Sequence, residues 1–168
     1  MYDYHTRMNS KPVPIILPRA AQHALERACR VSPVVVVSGA RQTGKTTIVR
    51  SMPALAHHSY VTLDDLNQRD LAQRDPDSLL EGASRLIIDE VQRAPDLLLA
   101  IKRAVDLSGH RSPGRFVLTG SANLLMMERV AESLAGRAVY VSMWPFTRRE
   151  RAGQIGRASC RERVSLVV

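Results

Sequence analysis

Apolar residues along this chain fall into short runs, set between longer stretches in which they recur every three or four positions. The runs at 33–38 ("PVVVVS"), 59–63 ("SYVTL"), 85–89 ("RLIID"), 115–119 ("RFVLT") and 138–143 ("AVYVSM") predict strands, each flanked by turn residues or an amphipathic stretch. The stretches between them predict helices. One covers 45–51 and is ended by Pro53. Another opens with Pro95 in its first turn, where the missing N–H costs nothing, and places Leu97, Leu98, Ile101, Ala104 and Val105 on one side. A third covers 123–135, with Leu124, Met127, Val130, Ala131 and Leu134 on one face and Gly136 as its C-cap. Strands alternating with helices predict an α/β fold, a parallel sheet joined by crossover helices.

Composition narrows the class. The 168 residues suffice for one ordinary domain with a sizeable core. With 45% hydrophobic and 24% charged residues, wholesale disorder is excluded. The longest apolar runs, 33–37 and 97–101, fall far short of the roughly 20 residues that span a bilayer, so no membrane segment is expected. The first 20 residues are broken by Pro14 and Pro18 and make a poor secretory signal, which leaves a cytoplasmic location as the expectation. Cys29 and Cys160 lie far apart without metal-ligand spacing, so neither a disulfide framework nor a zinc site is expected. No internal repeat or low-complexity linker interrupts the chain. The net charge of +8 invites a nucleic-acid partner, but the charge is spread along the chain and forms no single stripe. It is carried by 21 arginines and only three lysines, which makes a lysine in a motif more telling.

Three stretches carry chemistry. "GARQTGKT", from Gly39 to Thr46, matches G-x-x-x-x-G-K-[ST] between an apolar strand and a helix, the context that motif requires. Gly39 and Gly44 let the backbone approach phosphate, and the N–H groups of Ala40, Arg41, Gln42, Thr43, Gly44, Lys45, Thr46 and Thr47 form the candidate cradle at a helix N-terminus. Lys45 brings a compact charge to the β- and γ-phosphates of ATP, and Thr46 offers a hydroxyl to Mg²⁺. "RLIIDEVQ", residues 85–92, delivers Asp89 and Glu90 to the end of a buried strand, where ligands of open α/β sheets gather. Asp89 is the candidate holder of Mg²⁺ and Glu90 the candidate base for the attacking water. In "RFVLTGS", residues 115–121, Thr119 would end a strand at the same edge and sense γ-phosphate or fix that water. The competing reading of this stretch is an ordinary turn, with Gly120 for the bend and Ser121 or Asn123 capping the next helix.

Taken together, "GARQTGKTT", "YVTLDD", "LIIDEVQRAP", "FVLTGSANLL", "ESLAGR" and "WPFTRRE" resemble the AAA+ superfamily, and within it a group of prokaryotic ATPases, over residues 15–150. The resemblance implies a P-loop NTPase three-layer sandwich whose central parallel sheet has the order 5-1-4-3-2. It implies the roles given above for Lys45, Thr46, Asp89 and Glu90, with Thr119 as the first sensor. It also draws attention to Arg137, either an arginine finger acting on a neighbouring copy's ATP in a homo-oligomer, or a charge that neutralises a helix C-terminus. Arg19, in "LPRA", is expected to be solvated rather than to approach the nucleotide. Members of the group continue past "PFTRRE" into a helical lid and a C-terminal effector domain, whereas 18 residues follow Glu150 here. The expected organisation is a lead-in and first helix at 1–30, an ATPase core at 31–153 and a tail at 154–168.

The tail stands apart. "IGRASCRERV", residues 155–164, looks like the codon-for-codon translation of a common sequencing adaptor and is expected to be foreign to the protein. The function expected from the remainder is ATP binding and Mg²⁺-dependent hydrolysis, coupled to a missing effector. The alternative is a nucleotide-dependent switch or DNA-associated module with little turnover. A small-molecule kinase fits less well, because an acid pair at the strand end favours water as acceptor. The partners implied are ATP, a protein or DNA surface, and further copies of the chain through Arg137.

Overall fold

A computed structural model of the chain describes residues 17–108, 112–121 and 134–153. In chain order its elements are α1 (Ala21–Val31), β1 (Val34–Gly39), α2 (Lys45–Ser51), β2 (Ser59–Thr62), α3 (Leu66–Arg74), α4 (Pro76–Glu81), β3 (Leu86–Asp89), α5 (Leu97–Ser108), β4 (Phe116–Ser121), β5 (Ala138–Met143) and α6 (Arg148–Arg151). All five strands pair in parallel in the order β2-β3-β4-β1-β5, which is the expected 5-1-4-3-2 order read from the other edge. Because parallel neighbours need crossovers, helices cover both faces of the sheet.

The two faces divide the apolar residues by parity. Val34 and Val36, Leu86 and Ile88, Phe116 and Leu118, and Ala138 and Tyr140 point to one side, where Ala72, Leu79, Leu80, Leu97, Leu98, Ile101 and Val105 of α3, α4 and α5 meet them. Val35 and Val37, Ile87, Val117, Val141 and Met143 point to the other, against Ala24, Leu25 and Ala28 of α1 and Ile48 and Val49 of α2. Alternate side chains of a strand must face opposite ways, so one run such as "VVVV" fills both layers at once.

Predicted strand ends agree with the observed ones to within one or two residues. Pro95 stands two residues ahead of its helix rather than in the first turn. Leu97, Leu98 and Leu99 donate to the carbonyls of Ala94, Pro95 and Asp96, so a tight turn carrying Pro95 leads into α5. The predicted helix at 123–135 lies outside the described residues except for its end, where Leu134 is buried and Gly136 takes φ +68°. Three helices in the structure, α3, α4 and the single-turn α6, are not among the predicted elements. Asp65 caps α3 by accepting from the Asn67 and Gln68 N–H groups, and Asp75 caps α4 by accepting from the Ser78 N–H, with Pro76 in its first turn. Among the described residues, no helix is long and apolar enough to cross a membrane.

Candidate nucleotide-binding site

β1, β4 and β3 are adjacent in the sheet, so their C-terminal ends deliver the three sequence motifs to one rim. The loop after β1 turns through two left-handed residues, Gln42 at φ +63° and Gly44 at φ +87°. Gly44 then becomes the N-cap of α2, whose first residues Lys45 and Thr46 enter the helix with their N–H groups unpaired within it. Gly39 is demanded by a different contact. A Cβ there would lie 2.3 Å from the Met143 carbonyl oxygen, because β1 and β5 converge at that register. Thr43 is buried and donates to the Ala40 carbonyl at 2.9 Å, which closes the loop from within. Lys45 is also buried, and its ammonium donates to the carbonyls of Gly39 and Ala40 at 3.1 and 2.9 Å. Ala40, Arg41, Gln42 and Thr47 are exposed along the outside.

Asp89 is the centre of the polar network. It is 4% exposed, and one carboxylate oxygen accepts from the Thr46 hydroxyl at 2.9 Å and from the Tyr60 hydroxyl at 2.7 Å. The other accepts from the fully buried Thr119 hydroxyl. The Thr119 oxygen in turn accepts from the Glu90 N–H at 3.3 Å. A buried carboxylate needs such donors, and three hydroxyls supply them. Glu90 follows in the left-handed region at φ +58°, a conformation that costs a non-glycine residue of order 1–2 kcal/mol and tends to persist at functional sites. Its carboxylate accepts from the Gln92 side-chain amide.

The structure therefore brings together Gly39, Gly44, Lys45, Thr46, Asp89, Glu90 and Thr119. It does not bring Arg137 to them. Arg137 precedes β5 at the opposite rim and makes a two-pronged ion pair with Asp106, Nε to Oδ1 at 2.6 Å and NH2 to Oδ2 at 3.0 Å. Ser121 ends β4 half-buried, and Asn123 lies outside the described residues.

Three further residues belong to this rim. Tyr60 reaches Asp89 from β2, with the Arg50 guanidinium over its ring. Burial, then the hydrogen bond to Asp89 and its charge, push the Tyr60 hydroxyl up to about 12, so it remains a donor throughout the neutral range. An exposed-looking tyrosine at a strand start carries no sequence signal for this. Gln92 is the second, and its place two residues after the acid pair of "DEVQ" is the only hint of it. Arg19 is the third, and the expectation of a solvated side chain is corrected. It is 7% exposed and donates to the Thr43 carbonyl of the loop at 2.7 Å. The pre-helical "LPR" places it behind the loop, where a guanidinium finds buried carbonyls that water cannot serve.

A cleft of about 190 Å³ opens beside the loop between the ends of β1 and β5, lined by Ser38, Gly39, Ala40, Met143, Trp144 and Pro145. The larger hollow of about 500 Å³ between α4 and α5 contains none of the candidate residues. Among the described residues no group of three or more His, Cys, Asp or Glu side chains is placed to hold a metal ion.

Comparison with known proteins identifies the family and the fold. Residues 31–152 match the AAA domain family. The chain belongs to that family. Uncharacterised proteins of Mycobacterium bovis and Mycobacterium tuberculosis are each 39% identical to it over 138 residues, 81% of this chain and 30% of theirs. The chain thus spans under a third of the length of these curated relatives. Domain III of the Thermotoga maritima replication initiation protein DnaA has the same fold, with a TM-score of 0.54 at 15% identity over 78% of this chain and 64% of that one.

Proposed function

We propose that this AAA domain binds ATP and hydrolyses it with Mg²⁺. The observation that carries the reading is the meeting of Lys45, Thr46, Asp89 and Thr119 at one rim, where a glycine-rich loop opens a helix. Such a loop offers successive N–H groups and a positive helix end to an anion. In the present arrangement Lys45 satisfies the loop's own carbonyls. A bound triphosphate would take over that ammonium, and the carbonyls of Gly39 and Ala40 would turn to solvent or to neighbouring donors.

The donor set suits Mg²⁺. The Thr46 hydroxyl and the Asp89 carboxylate, 2.9 Å apart, are hard oxygen donors of the kind this cation takes, alongside phosphate oxygens and water. Mg²⁺ held there would neutralise charge on the phosphates. One carboxylate and one hydroxyl cannot suffice by themselves, in keeping with a site completed by its nucleotide. Glu90, next in sequence and turned by its positive φ, is the base that would orient and deprotonate the attacking water. Thr119 fixes the relation between the two acids, because one hydroxyl bonds the side chain of Asp89 and the backbone of Glu90.

The expected result for Glu90→Gln is unchanged MgATP affinity with hydrolysis reduced at least a hundredfold, measured as phosphate release against equilibrium binding. Unchanged turnover would remove Glu90 from the base role. Loss of binding would point instead to a structural part. If the parent chain binds ATP tightly but releases no phosphate, the domain acts as a switch. In either case the relatives' additional length is where an effector would reside, and Arg137 on the far rim would serve contacts between copies rather than its own site.

A further inference from the structure

Arg19 joins segments that are remote in sequence. Its Nε donates to Glu150 Oε1 at 3.1 Å, one terminal nitrogen donates to the Thr43 carbonyl at 2.7 Å and the other to the Trp144 carbonyl at 2.6 Å. The guanidinium lies 4.0 Å from the centroid of the Phe146 ring. Both members of the ion pair are buried, at 7% and 5% exposure. Glu150 has no spare capacity either. Besides Arg19 it accepts from the Ala20 N–H at 3.0 Å, from the Thr147 N–H at 2.8 Å and from the Thr147 hydroxyl at 3.1 Å, which also caps α6. The loop, the start of α1, the chain after β5 and α6 all meet at one guanidinium.

The contact to the loop is directional. In a trans peptide the carbonyl and the following N–H point opposite ways. Arg19 fixes the Thr43 carbonyl inward, so the Gly44 N–H is turned away from Arg19. A hydrogen bond on the carbonyl also polarises that amide and makes its N–H a better donor to an anion. Gly44 is the left-handed residue at the base of the loop, and the Arg19 terminal nitrogen lies 3.5 Å from where its Cβ would be. A planar fork that never loses its charge can hold the two carbonyls and Glu150 at once, which the single ammonium of lysine cannot.

We propose that Arg19, clamped by Glu150, is a positioning residue for the phosphate-binding loop and ties occupancy of that loop to the segment 144–150. This rests on the nucleotide reading above. Anything that shifts the Thr43–Gly44 peptide moves the guanidinium, and with it the Trp144 carbonyl and Glu150. Conversely, displacement of α6 withdraws Glu150 and releases the loop. Trp144 is the chain's one tryptophan and is largely exposed, so the coupling carries its own fluorescent reporter.

The test titrates the full chain with MgADP, following Trp144 emission and, in parallel, bound nucleotide by equilibrium dialysis. Expected are a saturable change in Trp144 emission that tracks binding, and a Kd raised at least tenfold in both Arg19→Lys and Glu150→Gln. At saturating MgADP these variants should also lose the Trp144 response. The double variant should bind within twofold of Arg19→Lys alone, because Glu150 acts through Arg19. Thermal unfolding of each variant establishes that it is folded, and the wild-type response needs no variant. Binding by dialysis with a silent Trp144, or folded variants that bind as the parent does, would overturn the coupling and leave the nucleotide reading standing. Absence of any MgADP binding to the parent chain would overturn both.

Discussion

Gly39 shows how a motif position can be required for a reason other than the one the motif suggests. The sequence pattern makes it the first glycine of a phosphate loop, yet its nearest neighbour is the Met143 carbonyl, which leaves no room for a methyl group. Gly39→Ala should therefore force β1 and β5 apart and destabilise the fold by about 1–3 kcal/mol, as overpacking typically does. Denaturant unfolding would measure it, and a stability equal to the parent's would mean that the strands separate freely at this point. At the same scale, legibility depended on whether a residue sits in a motif of recognisable spacing, not on how far away its partners lie. Lys45, Thr46, Asp89 and Thr119 announce themselves through spacing and strand context, although Thr46 and Thr119 meet Asp89 across 43 and 30 positions. Tyr60 and Arg19 belong to no such motif, and their partners are chosen by the topology alone.

Among elements, the two short helices α3 and α4 were the hardest to read. Only Ala72 of α3 is buried, so the apolar period that marks a helix is nearly absent, and the element is held by its Asp65 cap and its packing against α4. The signals were Asp65 ahead of a polar stretch and the Asp75-Pro76 pair, which are caps rather than periodicity. Elsewhere the elements were plain, because four of the five strands lie wholly in the core or nearly so and their runs cannot be anything else.

One junction between elements is sensitive to acid. His58, just before β2, bonds the Gly114 carbonyl in the turn before β4 through Nε2 at 2.7 Å. Its Nδ1 is buried with no hydrogen-bond partner among the described residues. Burial, more than the nearby charges of Arg85 and His57, holds its pKa below the ordinary 6.5, against the opposing pull of the Gly114 and Leu55 carbonyls. A depressed folded-state pKa means that stability is complete above the unfolded value and is lost as pH falls through the folded one. Thermal stability should thus decline from about pH 6.5 downward, and His58→Gln, which keeps an N–H for the Gly114 carbonyl, should flatten that decline. An equal decline in the variant would assign it to other groups.

For the whole molecule, the order of the sheet followed from the resemblance carried by the motifs, and the two-layer core followed from strand parity. Charge was less informative than its size suggested. A value of +8 reads as an invitation to nucleic acid, but several of its arginines are occupied within the fold, among them Arg19 with Glu150, Arg103 with Asp77 and Arg137 with Asp106. The stability of the entire plate can be probed at one point. Phe116 is the largest fully buried side chain among the described residues, at the start of β4 between β1 and β3, and Phe116→Ala should cost about 3–5 kcal/mol. A loss below about 1 kcal/mol in denaturant unfolding would mean that α5 collapses into the gap.

The sheet also separates two rims. One carries the loop, Asp89 and Glu90, and the other carries Arg137, with strands of up to six residues, about 20 Å, between them. Every residue of β1 is buried, and both of its neighbours run in the same direction. Such a strand has no slack with which to pass a local distortion along its length. A push at the Arg137 rim would arrive at the other as a tilt of the plate, in the manner of a seesaw, and the nucleotide rim would report its angle.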